Sequence, residues 1–366
     1  MPTINSVMAD VMFLTDYQKE ILANRIFEML SLSPVTVKEC REARFAMGQK
    51  CPHCESNDIS KFGKVNSKQR YKCKSCSKTF TDFTKSVLSS SKIPLSKWLE
   101  YTKLMILGGS IRKCAEHIDV CVKTSFYMRH RILDAIRMAI GMGHLEGVIE
   151  MDETFFAESF KGNHKKSGFP MPRPSRKRGK EVIKRGVSLE QVCVLTGLDR
   201  YGNIYMELIC KGRFKSSDLN RALEGHVEQE STLCTDSHKG YIQFAKDFNL
   251  EHKQIKSGRY LTEDFYSIQR LSSFHSRLKK WMEHFNGVST KYLANYLYWL
   301  KWLEYIKDDK EVIKGKHMLI QAVSSQLEIN IEDYRVRTAL FRWNYCYFLP
   351  HSDIINETIN IEEELT

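Results

Sequence analysis

No run of apolar residues in this chain approaches the roughly 20 needed to cross a bilayer, which argues against a helical membrane protein. The first residues, MPTINSVMADVMFLTDYQKE, lack the basic segment and cleavage site of a secretory signal, so a cytoplasmic protein is expected. A disulfide framework is missing too. The eleven cysteines are an odd number, and a cytosolic chain keeps its thiols reduced. Nor is the composition that of a disordered chain, because 42% of residues are hydrophobic and 11% aromatic.

What is present is basic charge. The net charge is +12 over 366 residues, a balance that favours a polyanionic partner through release of phosphate counterions. The length implies two or three domains. Cys40, Cys114, Cys121, Cys193, Cys210, Cys234 and Cys346 are scattered and read as small buried hydrophobes. The other four form two knuckles, Cys51-Pro-His-Cys54 and Cys73-Lys-Ser-Cys76, separated by 18 residues. Each knuckle turns two thiolates toward one point, so Cys51, Cys54, Cys73 and Cys76 are read as a structural zinc ribbon with every position filled. Lysines and Arg70 around them suit phosphate contacts, while Tyr71 and Phe80 supply packing for a ribbon with little core of its own.

From Pro94 to Arg137 the pattern is helical. Pro94 and Ser96 mark a start, Gly108-Gly109 interrupts, and Ser110 can cap a second helix over Ile111 to His117. A turn near Asp119 leads to a third, from about Thr124 to Met138. That helix carries Arg129, His130, Arg131 and Arg137, with Phe126, Ile132, Leu133 and Ile136 facing inward. A short helix, a tight turn and a basic helix fit a helix-turn-helix in which Arg129 and Arg131 meet DNA.

After Gly147 the pattern turns to strands. Val148 to Asp152 alternates and ends on a carboxylate; Gln191–Leu198 and Ile204–Cys210 make a hairpin; Ser231 to Asp236 is a fourth strand, again ending on Asp. With helices after the third, fourth and fifth strands, the order is β-β-β-α-β-α-β-α, that of a ribonuclease H-like fold. In such a sheet strands one and four lie side by side, so Asp152 and Asp236 converge. Paired carboxylates there suit Mg²⁺ or Mn²⁺, with one ion activating a nucleophile and another stabilising the leaving oxygen. A third ligand is expected from a long helix running from about Thr262 to His284, where His275 is the candidate and Lys279 follows one turn later. Glu153 should point to the opposite face, as a salt bridge or cap. The insertion from Phe156 to Val187 holds ten lysines and arginines and almost no acid; Lys177, Arg178, Lys184 and Arg185 within it are candidates for gripping DNA.

With these residues in view, the chain resembles bacterial insertion-sequence transposases of the ISXO-like DDE superfamily, in the subgroup whose third catalytic residue is His. The resemblance runs from about Cys51 to Tyr305. It rests on CPHC…RYKCKSC, MDETFF, RKRG…KRGVSLEQVCVL, LCTDSHKGY and FHSRLKKW…FNGVSTKYLANYLYW. It implies that Asp152, Asp236 and His275 bind the divalent metal and that Lys279 contacts DNA. It also implies recognition of terminal inverted repeats, cleavage and strand transfer, and a homo-oligomer in the synaptic complex. Three residues before the His, related proteins often carry Asn where this chain has Ser272.

The expected chain is thus α+β and multidomain: an N-terminal helical segment (1–48), a zinc ribbon (49–82), a helix-turn-helix (92–140), a ribonuclease H-like catalytic domain (147–307) and a helical tail (308–366). Its partner is double-stranded DNA, both element ends and target, in the nucleoid. The competing reading is a domesticated transposase that binds DNA as a regulator without chemistry.

Overall fold

The computed structural model describes residues 3–31, 34–65, 68–162, 173, 186–256, 266–327 and 329–337. Along the chain, α1 (Ile4–Met12), α2 (Asp16–Ser31) and α3 (Pro34–Arg44) precede strands β1 (Ile59–Val65), β2 (Lys68–Cys73) and β3 (Thr79–Thr81). Helices α4 (Leu95–Ile106), α5 (Ile111–His117) and α6 (Val122–Ile140) follow. Then come β4 (Val148–Ala157), β5 (Gln191–Asp199), β6 (Ile204–Lys211), α7 (Ser216–Leu223), β7 (Thr232–Asp236), α8 (Lys239–Asp247), β8 (Glu251–Ile255) and α9 (Gln269–His284). The last elements are α10 (Thr290–Tyr305), α11 (Glu311–Ser324) and α12 (Asp333–Val336). The chain divides into two compact units: residues up to Ala139 together with Ile306–Tyr334 form one, and Ile140–Tyr305 the other.

In the first unit β1, β2 and β3 make an antiparallel three-stranded ribbon. Its core is small: Tyr71 stacks on Phe80 with ring centroids 5.4 Å apart, and Cys51 and Cys73 pack beside them. Helices α4, α5 and α6 stand where the sequence placed them. Pro94 is the residue before α4, and the Ser110 hydroxyl accepts from the Lys113 amide at 3.2 Å, capping α5 as its sequence suggested. Trp98, Leu99, Tyr101 and Met105 bury one face of α4. Helix α11, from far along the chain, packs on α4 and α3. Gly315 permits the close approach, because a Cβ there would stand 3.0 Å from the Lys103 Cα and 3.1 Å from its amide nitrogen. In α12 the Tyr334 hydroxyl donates to the buried Asp134 carboxylate at 2.9 Å.

The second unit is built on a five-stranded sheet in the order β6-β5-β4-β7-β8. Pairings β6–β5 and β5–β4 are antiparallel, and β4–β7 and β7–β8 parallel. Strands one and four of the sheet are therefore neighbours and parallel, as expected of a ribonuclease H-like order. Ile149 and Met151 point from β4 into a core shared with Leu219 and Leu223 of α7 and Tyr241 and Phe244 of α8. The alternate residues, Glu150 and Asp152, face α9. Two element bounds beside the carboxylates differ from expectation. Strand β4 continues past Asp152 to Ala157, because its second half pairs with β5. Helix α9 begins at Gln269, seven residues later than expected, since residues 266–268 are not helical.

Candidate active site and metal centre

The parallel register brings the two aspartates together. Val148 pairs with Thr232, Ile149 with Leu233 and Glu150 with Cys234; the same offset sets Asp152 opposite Asp236, on one face. Asp152 lies just beyond the paired stretch, where β4 and β7 part, and its side chain is 29% exposed. Burial raises its pKa to about 7, reinforced by the charges of Glu153 and Asp236. An Asp236 carboxylate oxygen accepts from the His238 amide at 3.0 Å, which fixes the turn into α8. Glu153 points the other way, as alternation requires, and accepts from the buried Tyr241 hydroxyl at 2.9 Å.

The third group arrives on α9. His275 is 7% exposed, with Nδ1 3.7 Å from an Asp152 carboxylate oxygen. Burial and the nearby Lys279 lower its pKa to about 4, so at neutral pH the ring is uncharged and the pair is not an ion pair. Its Nε2 is buried with no hydrogen-bond partner among the described residues. Two more buried groups in the same condition share this face of the sheet: the hydroxyls of Thr154, two residues along β4, and of Thr196, directly across from Asp152. A neutral imidazole, two facing carboxylates and unsatisfied hydroxyls are a donor set that fits a hard divalent cation. The orientation of α9 is set by a residue the sequence reading passed over. Buried Glu150 accepts from the Leu271 amide in the first turn of α9 at 3.1 Å and lies 3.4 Å from Arg200. Its place two residues before Asp152, hence on the same face, was the available signal. Lys279, one turn after His275, is exposed.

The four knuckle cysteines meet. Cys51 and Cys76 sulfurs are 3.7 Å apart, Cys54 and Cys73 sulfurs 3.6 Å, and all four lie within 4.8 Å of one another. Zinc–sulfur bonds of about 2.3 Å in a tetrahedron require sulfurs roughly 3.8 Å apart, so the cluster could hold zinc. Backbone amides of Cys76 and Ser75 help draw the Cys73 thiol down toward the thiolate form. Among the described residues this is the group of three or more His, Cys, Asp or Glu gathered so closely; Asp152, Asp236 and His275 stand further apart.

Residues 144–304, which hold the two aspartates and the histidine, match the family model of the ISXO2-like transposase domain. A protein of the transposable element ISH50 in Halobacterium salinarum is 29% identical over 279 residues, covering 75% of this chain and 92% of its own. Both findings liken the chain, over these residues above all, to transposases of insertion sequences. Solved structures show only distant likeness to the chain. A simian T-cell lymphotropic virus intasome chain aligns over 56% of this chain and 67% of its own, at 12% identity and a TM-score of 0.27. A pre-cleavage Mos1 transpososome chain aligns over 66% and 82%, at 13% identity and 0.22.

Other expected site residues fall differently. Arg129 is 1% exposed and donates to the Gly109 carbonyl and the Cys114 sulfur. Arg131 donates to the carbonyls of Ser86 and Ser89 at 3.1 and 3.2 Å. Arg129 is thus buried and Arg131 half-buried, and the bonds of both tie α6 to its neighbours. Along α6, Val122 and Lys123 of the first turn are exposed instead. Lys177, Arg178, Lys184 and Arg185 lie outside the described residues. Ser272 is exposed, and its hydroxyl donates to the Ile268 carbonyl one turn back, so it belongs to the helix backbone rather than to the carboxylate cluster. No described helix is long and apolar enough to cross a membrane.

Proposed function

We propose that this chain is a transposase that binds the ends of its own insertion sequence and, with Mg²⁺ or Mn²⁺, cuts and joins DNA there. The observation that carries this reading is the register that faces Asp152 with Asp236 while α9 lays the neutral His275 3.7 Å from Asp152. Asp152, Asp236 and His275 would hold the metal. A bound divalent ion supplies Lewis-acid activation of water or a 3′-hydroxyl and charge stabilisation on the leaving oxygen. The chain's own groups prepare the rest. Burial keeps the His275 lone pair free of a proton at neutral pH, Glu150 holds the start of α9 in place, and Lys279 offers an exposed cation for a phosphate oxygen.

DNA reading is assigned to the first unit. On the ribbon, Arg70 and Lys72 stand 5.4 and 5.6 Å from the centroid of the exposed Phe62 ring, a cationic and aromatic surface suited to phosphates. Helices α5 and α6 are assigned as a helix-turn-helix that reads DNA through the exposed start of α6. A homo-oligomer joining two ends, and the nucleoid as its place of work, belong to the same proposal.

Strand transfer of labelled element ends, with the terminal sequences taken from the DNA flanking the gene, tests it. Asp236→Ala should lose at least about 100-fold in rate with either metal, because a lost ligand removes several kcal/mol of transition-state stabilisation. Equal rates for the variant and the wild type would overturn the assignment.

A further inference from the structure

The start of α9 has no cap of its own. The residue before the helix is Ile268, whose side chain accepts nothing, and the first turn holds no acidic residue. The amide of Leu271, third in the helix, is capped instead from β4, where the buried Glu150 carboxylate accepts it at 3.1 Å. From that cap, helix and strand run in step. Between Leu271 and His275 a helix rises about 6 Å, at roughly 1.5 Å per residue. Between Glu150 and Asp152 a strand rises about 6.6 Å, at roughly 3.3 Å per residue. Contacts close both ends of the step: Leu271 on Glu150 at 3.1 Å, and His275 Nδ1 3.7 Å from Asp152. The cap therefore sets how far along β4 the histidine arrives. A slip of one helical residue would shift it by about 1.5 Å and turn it by about 100°.

What holds Glu150 in that posture comes from the turn between β5 and β6. Its other carboxylate oxygen has no hydrogen-bond partner among the described residues and lies 3.4 Å from the Arg200 guanidinium. The Glu150 side chain is 1% exposed and that of Arg200 43%, so the cation reaches a buried anion from the surface. A buried anion is costly unless it is paired, and Arg200 supplies the pairing. The turn that presents Arg200 is itself braced. Asp199 accepts from the amides of Tyr201 and Asn203 at 2.9 and 2.8 Å, and from the Asn203 side chain at 2.7 Å. A second bond crosses the other way, from Arg270 in the first turn of α9 to the Asp199 carbonyl at 3.2 Å. Turn and helix start hold each other by one arginine apiece.

We propose that Arg200 is a positioning residue for the metal site. By pairing with Glu150 it fixes the cap on Leu271 and, through α9, the place of His275 against Asp152. It acts on the ligand's support and not on the metal, in the way that groups behind metal ligands orient them. The inference rests on the reading of Asp152, Asp236 and His275 as metal ligands.

Mn²⁺ binding to the full zinc-loaded chain without DNA, followed by loss of the free-ion paramagnetic resonance signal, tests it. Arg200→Gln should weaken Mn²⁺ binding about tenfold, the scale of lost support behind a metal ligand. Arg200→Lys, which keeps a cation for Glu150, should restore most of that loss. Arg200 stands exposed on a turn, so both variants should melt near the wild-type midpoint when no Mn²⁺ is added. Glu150→Gln leaves an acceptor for Leu271 but no charge for Arg200; in that background Arg200→Gln should have no further effect. Unchanged Mn²⁺ binding by Arg200→Gln, with or without a lowered midpoint, overturns the positioning role alone. So does a Lys variant no better than Gln, or a full tenfold loss in the Glu150→Gln background. Equal Mn²⁺ binding by the wild type and Asp236→Ala would instead overturn the metal reading, and the role of Arg200 with it.

Discussion

Asp152 is placed where an ordinary aspartate would be unhappy as an anion: buried, beside Glu153, and facing Asp236. Its folded pKa of about 7 stands above the unfolded value of about 3.9, so between those limits the folded chain holds a proton that the unfolded chain has released. Stability from this group is therefore full below about pH 4 and lost as pH rises through 7. Asp152→Asn escapes that loss. With no divalent metal added, its thermal midpoint should match wild type near pH 4 and exceed it above pH 7, by a margin equivalent to roughly 2 kcal/mol after discounting for solvent screening. Added Mg²⁺ should raise the wild-type midpoint and leave the variant's nearly unmoved. A constant difference across the pH range would refute the assignment. The two aspartates were legible in the sequence because strand alternation and a carboxylate at each strand's end are local signals. The fate of Arg129 and Arg131 was not. A cation on an amphipathic helix looks like surface until the carbonyls it will satisfy are known, and Gly109, Ser86 and Ser89 belong to other segments. Glu150 escaped for the same reason, since its partner amide at Leu271 lies 121 residues away.

Among the elements, α4, α5 and α6 and the five strands of the sheet could be placed from periodicity and punctuation, because capping residues and alternation act within a few positions. The end of β4 could not. Whether the chain continues past Asp152 depends on β5 standing alongside it, and that is a property of the sheet. Helix α11 was harder still: its sequence shows a helix, but nothing local says that it lies on α4. That packing depends on Gly315. Replacing it with Ala gains about 1 kcal/mol of helix propensity but drives a methyl against Lys103 backbone, where it must displace one helix from the other. Gly315→Ala should destabilise the first unit by a net ~1–2 kcal/mol, read as an earlier transition in urea. A more stable variant would show that the two helices can separate at little cost.

At the scale of the whole molecule, the sheet unit has its own buried core, and the ribbon has a separate, very small one in Tyr71 and Phe80. A core of that size is marginal without a metal. Cys73→Ser should lower bound zinc from one equivalent to well below half by elemental analysis. It should also unfold the ribbon while the five-stranded sheet keeps its own transition in a thermal melt; full zinc retention would discount the tetrathiolate. The division of the chain has one more consequence, for the order in which the protein is made. The first unit is interrupted after Ala139 and resumes only at Ile306, so α3 and α4 leave the ribosome well before the helix that covers them. At synthesis rates of about 5–20 residues per second, that wait is roughly 10–30 s, and the sheet with its carboxylates is completed during it. A nascent chain therefore completes its sheet unit before its first unit is whole, and a message broken anywhere in the intervening stretch yields neither.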